Sequence, residues 1–162
     1  MKILCIGQAA YDITFRLDEF PKENLKYRVH ESVECGGGSA SNAAYLLGKW
    51  GSDVSFAGIV GDDFYGKKLR DEFRLVNVNI DYLEFSKEYQ TPSSYIIVNK
   101  QNGSRTILTD RNKNMKMSDI EFNINPNIIM IDGREYEMSL KVIKENPNAI
   151  VVIDAGSNRK EV

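Results

Sequence analysis

The sequence holds one histidine, His30, and two cysteines, Cys5 and Cys35, among 162 residues. With so little histidine, a Ser-His-Asp triad would depend on His30 alone, and nothing around it supports that role. It reads as a plain surface or strand residue. Two cysteines make no disulfide framework, and no Cys/His cluster has zinc spacing. Cys5 lies inside an apolar run and reads as a small buried hydrophobe. An excess of one charge is also missing: 21 Lys+Arg against 23 Asp+Glu give a formal net charge of −2. A broad positive face for nucleic acid is therefore not expected. No apolar run reaches bilayer length. The opening Met1–Gly7 is too short for the apolar core of a signal peptide and runs directly into a strand pattern. These absences point to a cytoplasmic protein with neither a nucleic-acid nor a membrane partner.

What is present suits one domain. Hydrophobic residues make up 42% and charged residues 27%, and the length suffices to bury a core. Lys2–Gly7 reads as a buried strand. Asp12–Leu17 and Lys26–His30 alternate polar with apolar residues, as strands with one wet face do. Ser41–Trp50 is helical by pattern, with Ala44, Leu47 and Trp50 on one face. Val54–Val60 reads as a strand. Asp63–Leu75 reads as an amphipathic helix burying Phe64, Leu69 and Phe73, with Asp62 and Asp63 as its caps rather than as metal ligands. Ser94–Val98 and Arg105–Leu108 form a hairpin through Lys100-Gln101-Asn102-Gly103. Asn127–Asp132 and Ala149–Asp154 are continuous apolar strands flanking a helix at Glu135–Glu145. Apolar strands alternating with helices predict an α/β fold, a mostly parallel sheet covered on both faces. The two hairpin-like excursions do not fit that sheet and are expected to form a separate small β-layer.

Three consecutive glycines, Gly36-Gly37-Gly38, interrupt the chain before Ser39-Ala40-Ser41-Asn42. A P-loop would need Gly-Lys-Ser/Thr, but Gly48-Lys49 is followed by Trp50. A dinucleotide fingerprint would need Gly-x-Gly-x-x-Gly after the first strand, and Gln8-Ala9-Ala10-Tyr11 follows Gly7 instead. A flexible loop and a close-approach bend both remain open on composition.

Spacing adds to this. From Gly37-Gly38-Ser39-Ala40-Ser41-Asn42-Ala43-Ala44, six residues lead to Gly51 and nine more to Gly61, which opens Gly61-Asp62-Asp63-Phe64-Tyr65-Gly66. This resembles the N-terminal signature of the PfkB, or ribokinase-like, carbohydrate kinases. Ile3–Gly7, Asp12, Gly37-Gly38 with Ala40-Ser41-Asn42, Gly103–Leu108 and Asp132-Gly133-Arg134 are most similar to the ketohexokinase-like branch. The resemblance runs along the whole chain but corresponds to the N-terminal portion of such a kinase, about half of one. It implies a ribokinase-like sheet truncated on its C-terminal side, with residues 1–162 as one partial domain. Lid strands would occupy about 12–34 and 93–110, and the core about 2–10, 36–85 and 126–158.

The resemblance further implies an ATP-dependent kinase acting on a hydroxyl of a small unphosphorylated sugar, with ATP and Mg2+ as cofactors and a homodimer through the lid. A nucleoside kinase of the same fold and a non-catalytic carbohydrate-binding homologue are the alternatives. Asp12 and Asn42 would grip sugar hydroxyls, with Gly37 and Gly38 letting the backbone come close. For Asp12 the other reading is a strand end, and for Asn42 a first-turn cap. Ser39 stands where the branch has asparagine, and Asn24 where its lid supplies aspartate; both positions stay polar and remain substrate-binding candidates. The glycine motif lacks the lysine of the phosphosugar branch. Arg105 and Arg134 match arginines near the nucleotide phosphates or the acceptor, and a solvated arginine is the alternative for each. The family's general base is an aspartate in a Gly-Ala-Gly-Asp stretch. No such stretch occurs here, so the base is expected beyond Val162 and the 162-residue segment alone is expected to be inactive.

Overall fold

The computed structural model describes residues 1–156. In chain order it runs β1 (Lys2–Ile6), β2 (Ala10–Leu17), β3 (Ser32–Gly37), α1 (Ser39–Lys49), β4 (Asp53–Gly61) and α2 (Phe64–Leu75). Then follow β5 (Asn79–Ser86), β6 (Ser93–Asn99), β7 (Arg105–Asp110), β8 (Ile128–Ile131), α3 (Tyr136–Glu145) and β9 (Ile150–Ile153). Five strands form a parallel sheet in the order β5-β4-β1-β8-β9. Successive side chains of a strand point to opposite faces, which explains the unbroken apolar run of β1. Ile3 and Cys5 join one buried cluster with Ala40 and Ala44 of α1 and Leu69 and Phe73 of α2. Leu4 and Ile6 join the other, with Met138 and Val142 of α3. Helices therefore cover both faces. Burial pushes the Cys5 thiol pKa up to about 12, in keeping with a buried hydrophobe. Among the described residues no helix is long and apolar enough to cross a membrane.

The remaining strands form a second sheet, β3-β2-β6-β7. β2 pairs antiparallel to β3 and parallel to β6, and β6 pairs antiparallel to β7. The turn joining β6 to β7 holds Gly103 at φ 71 and is closed by Asn99 N–H donating to Ser104 O at 2.9 Å. The hairpin forms where Lys100-Gln101-Asn102-Gly103 predicts it, as a four-residue loop in which Gly103 and not Asn102 takes the positive φ.

Several details depart from the sequence reading. The return strand of the first hairpin is Ser32–Gly37, not Lys26–His30: β2 pairs from Ala10↔Gly37 to Phe15↔Ser32, so Gly36 and Gly37 themselves complete the ladder. Trp50 lies just past the last turn of α1 and is 70% exposed, and Phe64 opens α2 at 64% exposure. Neither belongs to the core. β5 carries no expectation from the sequence, although it forms one edge of the main sheet. The core segment expected to reach residue 158 is seen to 156; 157 and 158 lie outside the described residues.

Candidate active site

Parallel sheets bind ligands in the crevice beyond the carboxyl ends of their strands. Three chain segments meet at that edge here: 7–9 after β1, 37–40 leading into α1, and 132–134 after β8. Asp132 joins them. It is only 8% exposed, and its Oδ2 accepts from Gln8 N–H at 2.9 Å and Ala40 N–H at 3.3 Å. Its Oδ1 accepts from Arg134 N–H at 3.0 Å. A Cβ on Gly7 would fall on this carboxylate, so Gly7 is what lets Asp132 reach across the end of β1. One buried acid thus satisfies three backbone donors and pins the entry of α1 to the crevice.

The three glycines each have their own close approach. A Cβ on Gly36 would lie 2.8 Å from Glu72 Oε2 and 2.9 Å from Leu69 Cδ2, both on α2. On Gly37 it would meet the Asp12 carboxylate, and on Gly38, which sits at φ 99, the Gln8 carbonyl. The bend is thus packed against the protein's own atoms rather than being a flexible loop. The space the sequence reading reserved for a ligand at Gly37 is occupied first by Asp12, which lies flat against the main chain at the root of the second sheet.

Asp12, Gly37 and Gly38 are brought together in this way. Asn42 sits in the first turns of α1 and its N–H donates to Gly38 O at 2.8 Å. The N-cap position belongs to Gly38 and has no side-chain bond, so the cap reading of Asn42 fails. Asn42 instead lines a cavity of about 350 Å³ with Gly36, Ser41, Tyr45 and Glu72. Ser39, the first residue of α1, is exposed beside the bend. Asn24 is exposed at φ 60 in the connection 18–31, at the opposite end of the β2–β3 hairpin from Gly37. Arg105 pairs with Val98, which pairs with Arg16, so it shares the Asp12 face of the second sheet. Its row lies four residues along the strand from Asp12, roughly 13 Å at the usual rise. Arg134 follows the strap residue Asp132 at the end of β8, its side chain exposed.

Four residues beside the bend escaped the sequence reading. Gln8 receives Arg111 Nη1 on its side-chain oxygen at 3.1 Å. Glu135 is buried, and its Oε2 accepts from Met117 N–H at 3.0 Å. Burial raises its pKa, against the lowering effect of that bond and of the Arg111 charge. On the lid side, Glu72 accepts from Gly36 N–H at 2.9 Å and lies near the Tyr11 hydroxyl. Burial, then the neighbouring Glu72 carboxylate, push the Tyr11 pKa up to about 12, so this hydroxyl keeps its proton. The one available sequence signal was Asp132 itself, an acid closing the apolar strand "NIIMI" at the sheet edge.

The pfkB family of carbohydrate kinases matches residues 1–149. The chain belongs to that family. It is 30% identical over 159 residues to a nucleoside kinase of Methanocaldococcus jannaschii, covering 97% of this chain and 52% of that protein. The crystal structure of that nucleoside kinase, described as an archaeal member of the ribokinase family, superposes with a TM-score of 0.78 at 26% identity, over 96% of this chain and 52% of that one. A mouse ketohexokinase is 33% identical over 107 residues, 66% of this chain and 36% of that protein. An Arabidopsis thaliana ribokinase complexed with ribose and ATP shares the fold, with a TM-score of 0.78 at 21% identity over 97% of this chain and 54% of that one. The chain spans about half the length of the nucleoside kinase, and less of the ketohexokinase.

Proposed function

We propose that this pfkB-family chain forms the acceptor-binding wall and lid of an ATP-dependent kinase that phosphorylates a hydroxyl of a small unphosphorylated sugar. The observation that carries the reading is the placement of Asp12. Its carboxylate lies against bare glycine backbone, at the seam between the two sheets and beside the crevice where the strands β1 and β8 end. A polyol needs such an acceptor in a fixed direction with main chain close by. Asn42, Ser39, Gly37 and Gly38 complete the proposed acceptor contacts. Asn24 and Arg105 enter only as residues of the distal lid, which excludes water when it closes. The lid is also the proposed surface of a homodimer.

ATP supplies the phosphoryl group. Arg134, at the end of β8, is the guanidinium in this chain that best fits a phosphate at the crevice. Among the described residues no group of three or more His, Cys, Asp or Glu could hold a metal ion. Mg2+ needs no such cluster: it would come with ATP, held by the phosphates, waters and one or two carboxylates. The general base is proposed to lie outside these residues.

The second reading, a nucleoside kinase, is favoured by the nucleoside kinase whose match covers 97% of this chain. ADP release by the full-length gene product, measured over ribose, fructose and a panel of nucleosides, separates the two. Acceptor-dependent ADP release is expected, and Asp12→Asn is expected to lower kcat/KM for the acceptor by about 10- to 100-fold, the range for losing a hydrogen bond to a charged group. The 162-residue chain by itself is expected to show no turnover. ADP release that no acceptor raises above the ATPase background overturns the proposal.

A further inference from the structure

We infer that Glu72, on α2 and outside the bend itself, is a positioning residue for the acceptor site, acting as a latch that fixes the angle between lid and core. The inference rests on the kinase reading above and extends it. Tyr11 of β2 and Gly36 of β3 are direct register partners, so both present to the same face of the lid, and that face packs on α2. The Gly36 N–H donates to Glu72 Oε2 at 2.9 Å, and the Tyr11 hydroxyl lies near enough to the same carboxylate that, after burial, its charge raises the Tyr11 pKa. One helix side chain thus ties β3 directly and faces β2 at the same root. The next residue on each strand is Asp12 or Gly37, the pair whose contact sets the direction of the Asp12 carboxylate.

The surroundings favour a fixed geometry. Tyr11 is buried and its ring stacks on Tyr65 of α2 at 4.8 Å between centroids. Gly36 leaves no room for a side chain between its backbone and Glu72. A second tie anchors the other lid pair: Thr91, just before β6, gives its N–H to Asp63 Oδ2 at 2.7 Å at the head of α2. Helix α2 therefore grips the lid at both of its entries, and Glu72 is the grip that bears on Asp12. Charged acceptors make the stronger hydrogen bonds, and small misplacements of a binding group carry large losses in rate.

The test uses the full-length gene product with ATP and whichever of ribose, fructose or adenosine it phosphorylates. Glu72→Ala is expected to raise the acceptor KM by about tenfold with the ATP KM unchanged. Glu72→Gln, which keeps an acceptor for Gly36 N–H, is expected to restore most of the loss. Tyr11→Phe, which keeps the ring stack, is expected to give a smaller rise in the same direction and serves if Glu72→Ala does not fold. Hydrogen exchange at the Gly36 amide, read without any substrate, is expected to speed up in Glu72→Ala and recover in Glu72→Gln. A folded Glu72→Ala with a wild-type acceptor KM, or with both KM values raised alike, overturns the inference, as does unchanged exchange at Gly36. An inactive wild type overturns the kinase reading, while exchange at Gly36 still decides whether the latch exists.

Discussion

Asp63 and Glu135 each stand at the N-cap position of a helix, yet they titrate in opposite directions. Asp63 turns inward to its own helix: Gly66 N–H donates to its Oδ1 at 2.8 Å, and Thr91 donates through both its N–H and its hydroxyl. Burial pushes its pKa up, but these bonds together outweigh burial and hold it below 3.8. Glu135 has the longer reach and spends its carboxylate on Met117 instead, so burial prevails and its pKa rises above 4.5. The linkage signs follow. The contribution of Asp63 is present above its unfolded value and is lost as pH falls through its lower folded value. Glu135 favours the fold while protonated, and charging it in a buried site erodes stability as pH rises past 4.5 towards its folded value. Urea unfolding from pH 3 to pH 8 checks both. Asp63→Ala is expected to lose about 1–2 kcal/mol at neutral pH, the scale of a lost cap, and less in acid. Glu135→Gln keeps an acceptor for Met117 and is expected to stabilise at neutral pH, with the gain vanishing in acid. A Glu135→Gln gain that persists undiminished in acid would show that its burial is not the cause.

Where helices meet, one glycine decides the fit. Gly48 lies near the end of α1, and a Cβ there would come within 2.6 Å of Val76 O and 2.7 Å of Val78 Cγ2, on the chain leaving α2. Helix propensity favours alanine over glycine by about 1 kcal/mol. The clash is with backbone, which cannot rotate away, so Gly48→Ala is expected to destabilise by about 1–3 kcal/mol despite that gain. A thermal melt that rises in this variant would mean α1 and α2 can separate without loss. The same scale explains what the sequence could and could not disclose. β1, β4 and β8 were legible because strands with helices on both sides are mostly apolar. β9 was legible as an apolar run, but the expectation that it is buried fails: at the sheet edge Ile150, Val151, Val152 and Ile153 are all exposed. β5 was not legible. Its pairing with β4 shifts register between Ser55 and Ala57, and "NIDYLEFS" keeps neither a clean alternation nor an apolar run. β3 was misplaced because "VECGG" draws its pairing from the partner strand and has few side chains to pattern. Asp12 and the glycines were legible through spacing. Asp132 was legible as a residue of that pattern but its strap role was not, nor were Gln8 and Glu72, because what defines them is the partner each one meets in space, and Asp132 meets the Gln8 N–H from 124 residues away.

The lid is one layer thick, and its two faces differ. One face carries Tyr11, Ile13 and Leu17, buried against the core. On the other, the register places Thr14, Val33, Ile96 and Ile107 side by side in one row across all four strands, next to the row that holds Asp12. Val33 is 46% exposed and Ile107 48%. An uncharged row of this kind, next to a binding site, is more than a scatter of single apolar residues. Being uncharged throughout, and apolar at three of its four positions, it can meet its own copy about a two-fold axis without opposing like charges. This is the surface on which the proposed homodimer would form, and it sets a test that the kinase reading does not. Sedimentation of the full-length protein at micromolar concentration is expected to show a dimer, and Ile107→Glu is expected to shift it to monomer by forcing two desolvated carboxylates together. Because the row borders Asp12 without including it, the monomeric variant is expected to unfold at nearly the same urea concentration as wild type once extrapolated to low protein concentration. A wild type that sediments as a monomer leaves the row without a partner and removes the lid from the assembly.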